Sequence, residues 1–148
     1  MKKESVVLFL KELMDDKIET VNFEIAQLMS SRDSDTKSSA GDKHETSRAM
    51  AQIEIENAQH QLSRFLGMRE ELDKIDQSKV SISIQHGNLV ETNKGFFFFG
   101  IGLGKIEMNQ EILFAVSLAS PIGQVFKSKK VGDEFEFNGN SYSVEHID

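Results

Sequence analysis

The chain has 148 residues, 39% of them hydrophobic and 28% charged, with a formal net charge of −7 and no cysteine. That length suits one ordinary domain or two small ones, and the balance is that of a folded protein rather than a disordered one. The charge argues against a free-standing nucleic-acid binder, which needs clustered lysine and arginine, and the lack of cysteine excludes disulfides and thiolate metal sites.

Near the N-terminus the one apolar run is residues 6–10, too short for a membrane span and followed by charges in place of a small-residue cleavage site. No targeting signal and no membrane contact are expected, and cytoplasm is the default location. Over residues 5–29, Val7, Leu10, Met14, Ile18, Val21, Ile25 and Leu28 recur at steps of three and four. That spacing puts them on one stripe of a helix. Residues 30–41 lose the pattern and fill with Ser, Asp and Gly, which compete with helix by local hydrogen bonds, so the helix is expected to stop near Arg32.

Residues 39–46 form the expected turn, and within it Asp42 and Glu45 stand three positions apart. On the first turn of a helix that spacing sets two carboxylates side by side, where they can share a divalent cation. It also fits a capping box, with Asp at the N-cap and Glu at N3, and a cap would fix the carboxylates in space as well. A second helical pattern covers residues 43–75, with Ala51, Ile55, Ala58, Leu62, Phe65, Leu72 and Ile75 on one side. Two such helices and a short turn predict an antiparallel coiled-coil hairpin over residues 1–76, its acidic tip near 39–46. Pairing within the chain leaves a monomer as the expected state; bracing or dimerisation is the alternative use of such a hairpin.

After Asp76-Gln77-Ser78 the period changes from near 3.6 to near two, which marks a second domain over residues 77–148. Val80, Ile82 and Ile84 alternate with Ser81, Ser83 and Gln85 and predict a half-buried strand. Residues 89–92 predict another, Asn93-Lys94-Gly95 a turn, and the run Phe96 to Phe99 a strand buried on both faces and serving as core. Residues 111–118 form the next expected strand. Ser120-Pro121-Ile122-Gly123 then opens a helical turn with Ser as cap and Pro at N1. Two last strands, residues 134–137 and 141–147, flank the turn Asn138-Gly139-Asn140.

Lys129 and Lys130 read as a charged turn. His44, His60, His86 and His146 lack metal-ligand spacing, and there is no phosphate loop or nucleophile elbow. The chain lacks the equipment of a self-sufficient enzyme.

The order of parts resembles the bacterial GreA/GreB family of transcript-cleavage factors. It rests on Gly41-Asp42-x-x-Glu45 between two helices, then a small sheet domain with Ser120-Pro121-Ile122-Gly123 and Lys129-Lys130-Val131-Gly132-Asp133. The similarity runs over nearly the whole chain. Where the family's tip reads G-D-x-x-E-N-A, this chain has Thr46 and Ser47 in place of the Asn-Ala.

The resemblance implies an α+β protein, a coiled-coil hairpin followed by an FKBP-like antiparallel sheet domain with a short helix. It implies RNA polymerase as the partner, with Ser120, Pro121 and Ile122 touching the rim of the secondary channel and the hairpin entering it. Asp42 and Glu45 would then help hold a second Mg²⁺ at the polymerase centre and stimulate cleavage of backtracked RNA, the polymerase owning the chemistry. Residues 1–76 carry 11 basic and 16 acidic residues, so contact with the nascent RNA 3′ end is expected to be weak. Three other readings stay open: a Gre-like inhibitor or regulator that occupies the channel without cleavage, a prolyl isomerase, and an adaptor whose hairpin dimerises.

Overall fold

The computed structural model describes residues 1–35 and 41–148; the side chains of Asp35, Asp42 and His44 fall outside the described set, as does the part of the expected turn at Ser39 and Ala40. Two long helices, α1 (Lys3–Asp35) and α2 (Gly41–Asp73), precede six strands and one short helix. The strands are β1 (Leu89–Thr92), β2 (Gly95–Phe99), β3 (Gly104–Met108), β4 (Glu111–Val116), β5 (Glu134–Phe137) and β6 (Asn140–Ile147), with α3 (Pro121–Phe126) between β4 and β5. The class is α+β.

The chain forms two compact units, Glu12–Glu70 and a second made of Met1–Lys11 with Glu71–Asp148. In the helical unit α1 and α2 run antiparallel. Asp15 pairs with Arg69 at 2.8 Å, the Lys17 ammonium lies 5.6 Å from the Phe65 ring centre, and Arg32 reaches Gln52, so partners descend on α2 as they rise on α1. Met14, Val21 and Ile25 of α1 and Ile55, Ala58 and Phe65 of α2 are buried, the outcome of apolar positions repeating on one stripe of each helix. α1 passes the expected stop at Arg32 by one turn. α2 starts at Gly41 rather than Lys43 and ends at Asp73, short of Ile75.

In the other unit one sheet has the order β3-β4-β2-β1-β6-β5. It is mixed, which corrects the expected antiparallel sheet. β2 and β4 pair in parallel, with Phe97 opposite Phe114 and Phe99 opposite Val116. The cause is β3, a strand the sequence reading passed over. The chain leaves β2, skips one strand position to lay down β3, and hairpins back as β4 into the gap, so β4 must run the same way as β2. Asn109 and Gln110 make that hairpin with φ of 51° and 68°, and Asn138 and Gly139 do the same between β5 and β6 with φ of 49° and 76°. Positive φ at both central residues gives the turn whose twist matches the flanking strands.

Alternation along the strands sorts the phenylalanines. Phe97 and Phe99 pack with Phe126 of α3, their ring centres 4.8 and 5.1 Å from its own, alongside Val90, Tyr142, Val144 and Ile147. Phe98 lies on the other face, level with Leu89 and Ala115 across β1 and β4, and all three are buried. The first turn of α1 joins this unit: the Lys3 amide donates to the Asp148 carboxylate at 2.9 Å and the Lys3 ammonium to the Lys79 carbonyl at 2.9 Å.

The strand expected over residues 80–85 does not form. Only an isolated bridge joins Ser83 to Lys130, and although Ile84 is buried, Val80 and Ile82 are 88% and 84% exposed. Alternation marks a strand only where a second layer covers the apolar face, and here just one of the three residues is covered.

Candidate functional site

The apolar stripe between α1 and α2 thins toward the segment that connects them. Beyond Ile25 and Ile55 no described residue at that end is fully buried, and polar side chains take over the pairing. The Arg32 guanidinium donates from Nη1 to Gln52 Oε1 at 2.7 Å and from Nε to Asp33 Oδ1 at 3.2 Å, while Gln52 donates to Glu56 at 3.3 Å. A cleft of about 310 Å³ opens there, lined by Arg32, Glu45, Arg48, Ala49 and Gln52.

Asp42 and Glu45 both belong to α2, whose first residue is Gly41. Asp42 thus stands in the first turn of α2, where negative charge is favoured by the positive end of the helix dipole. Positions 42 and 45 are neighbours on the helix surface by spacing. Glu45 is exposed; the Asp42 side chain lies outside the described residues.

Among the described residues no group of three or more His, Cys, Asp or Glu side chains converges on one point. Mg²⁺ takes oxygen ligands and commonly uses one or two protein carboxylates together with waters and phosphates.

Arg32 and Arg48 are the residues here that sequence reading passed over. The available signal was Arg48 standing three positions after Glu45, on the same side of the helix.

Ser120, Pro121 and Ile122 lie in the other compact unit, at the start of α3. The Ser120 hydroxyl accepts from the Gly123 amide at 3.1 Å and donates to the Ser117 carbonyl at 2.6 Å, so it caps the helix as its sequence position predicts. Ile122 packs against the aromatic core, which leaves Pro121 as the exposed member of the three. Gly123 is forced: a Cβ there would overlap the Ser117 carbonyl oxygen and come within 2.7 Å of the Leu118 backbone.

No helix among the described residues is long and apolar enough to cross a membrane. Compared with protein-family models, with curated proteins and with solved structures, the chain shows no match.

Proposed function

We propose that this protein is a cytoplasmic accessory factor of RNA polymerase that stimulates the polymerase's own cleavage of backtracked RNA. In this reading the helical pair is a coiled-coil hairpin that enters the secondary channel. The sheet unit, FKBP-like in its role, docks at the rim with Pro121 as the contact that Ser120 and Ile122 hold in place. The factor is a monomer, touches the RNA 3′ end weakly, and is not an enzyme on its own.

The observation that carries the reading is the pairing of positions 42 and 45 at the beginning of α2, with Glu45 exposed, where the two antiparallel helices are joined. The motifs Gly41-Asp42-x-x-Glu45 and Ser120-Pro121-Ile122-Gly123, in that order along the chain, support it. Asp42 gives one carboxylate oxygen to the shared site. Glu45 either shares that task or orients the attacking water by accepting its hydrogen bond. When bound, Mg²⁺ supplies the charge that stabilises attacking and leaving oxygens in an in-line displacement.

The experiment is a Mg²⁺ titration of RNA cleavage in stalled, backtracked polymerase complexes. Glu45→Gln keeps the shape and removes the charge, so the variant is expected to need more Mg²⁺ for half-maximal cleavage and to bind polymerase as before. An unchanged Mg²⁺ requirement would remove Glu45 from the mechanism.

A second reading, a regulator that fills the channel without promoting cleavage, draws on Arg32 and Arg48 lining the same cleft as Glu45. Two guanidinium groups beside a carboxylate compete with a cation for it. In that case the wild-type protein binds polymerase and leaves the cleavage rate unchanged.

A further inference from the structure

Where the expected strand over residues 80–85 fails to form, the sheet unit keeps an uncovered strip. Ile84 donates its amide to the Lys129 carbonyl at 2.8 Å and accepts from the Ser128 amide at 3.0 Å, and Ser83 bridges Lys130 antiparallel. Beyond that bridge the two segments part: Ile82 lies in a bend and Val131 in a turn that the Asp133 amide closes on the Lys130 carbonyl at 3.0 Å. Val80, Ile82 and Val131 are 88%, 84% and 57% exposed. Single exposed aliphatics are ordinary, but three β-branched ones on adjoining segments make a patch of the kind that marks an interaction site.

The backbone adds to it. Among the described residues, none of the amides of residues 80–83 donates to a backbone carbonyl, and the segment stands outside the six-stranded sheet. A non-helical segment with unspent amides can take up a strand of another chain.

Charge selects what can lie there. Six lysines follow residue 76, and four of them, Lys79, Lys127, Lys129 and Lys130, flank this strip, in a chain whose net charge is −7. Lys79, Lys127 and Lys130 are exposed, while the Lys129 ammonium sits 5.5 Å from the centre of the Phe135 ring. Against the four lysines stand three nearby carboxylates, Asp76, Asp133 and Glu134; Asp133 accepts from the Lys130 amide at 2.8 Å and Asp76 from Ser78.

We propose that this strip docks an extended acidic segment of a partner protein by strand addition along residues 80–83. Alternate apolar residues of the partner cover Val80, Ile82 and Val131, and its carboxylates meet Lys79, Lys127 and Lys130. A nucleic acid would use the lysines but has no need of the aliphatic side chains, and the two differ in what Ile82 contributes.

The test uses the full chain, ¹⁵N-labelled, titrated with a capped hexapeptide of alternating glutamate and valine or isoleucine, with the same peptide carrying lysine for glutamate, and with oligouridine. The acidic peptide is expected to shift amides of residues 79–83 and 128–132 alone, and the lysine peptide to shift none. Ile82→Ser and Lys130→Glu should each weaken the acidic peptide about tenfold. Ile82→Ser should leave thermal unfolding unchanged, because its side chain is already in water. Shifts centred elsewhere, equal binding of the lysine peptide, or binding of oligouridine at the strip unaffected by Ile82→Ser would each overturn the assignment.

Discussion

The hydroxyl of Ser120 satisfies the Gly123 amide and bonds the Ser117 carbonyl, while its neighbour Pro121 faces solvent. Ser120→Ala should therefore cost about 1 kcal/mol in urea denaturation, the usual worth of an N-cap. Gly123→Ala should cost more, about 3 kcal/mol, because the added Cβ meets backbone that has nowhere to retreat. Pro121→Ala should cost less than about 1 kcal/mol in the same denaturation, the worth of a proline already at a helix's first position, and in the proposed reading should weaken polymerase binding. The cap and the proline were legible in Ser-Pro-Ile-Gly. The need for glycine at 123 was not, because it comes from the Ser117 and Leu118 backbone folding back over α3, a close approach that no local pattern encodes. Asp42 and Glu45 were legible as a spaced pair, whereas the Arg32 side of the cleft beside Glu45 depends on which turn of α1 lies against α2.

Among the elements, the long helices separate burial from spacing. Ile55 is fully buried between α1 and α2, and Ile55→Ala should lose about 3 kcal/mol by denaturation, whereas Ile53→Ala, more than half exposed, should change stability by less than about 0.5 kcal/mol. At the exit from α2 the Ser78 hydroxyl, and then its amide, bond the Asp76 carboxylate at 2.6 and 3.0 Å and hold it below the ordinary carboxylate range. A lowered folded value stabilises the protein above the ordinary value near 3.8 and loses that contribution as pH falls through the folded one. The stability gap between wild type and Ser78→Ala should thus be steady at neutral pH and narrow below about pH 4.

The strands show where sequence patterns inform and where they do not. Residues 89–92 and the phenylalanine run announce themselves by composition and a glycine-bearing turn. β3 hides because its hairpin uses Asn109 and Gln110, neither of them glycine, in the left-handed region. The parallel pairing of β2 and β4 hides because it joins segments separated by a whole hairpin. At residues 80–84 the alternation is present, but burial is decided by a covering layer that the segment does not have.

For the whole molecule, charge and topology divide the labour. The net charge of −7 argues against binding nucleic acid unaided, and in the proposed reading the carboxylates at 42 and 45 act beside a cation that other ligands help to hold. This is why the proposed activity belongs to a complex and not to the isolated chain. The most direct test is the rate of RNA cleavage in stalled, backtracked polymerase complexes, with wild-type protein and with the double variant Asp42→Asn, Glu45→Gln. Wild type should accelerate cleavage, and the double variant should bind polymerase equally well yet stimulate about a hundredfold less. Equal stimulation by the two proteins, or no stimulation by wild type, would contradict the account.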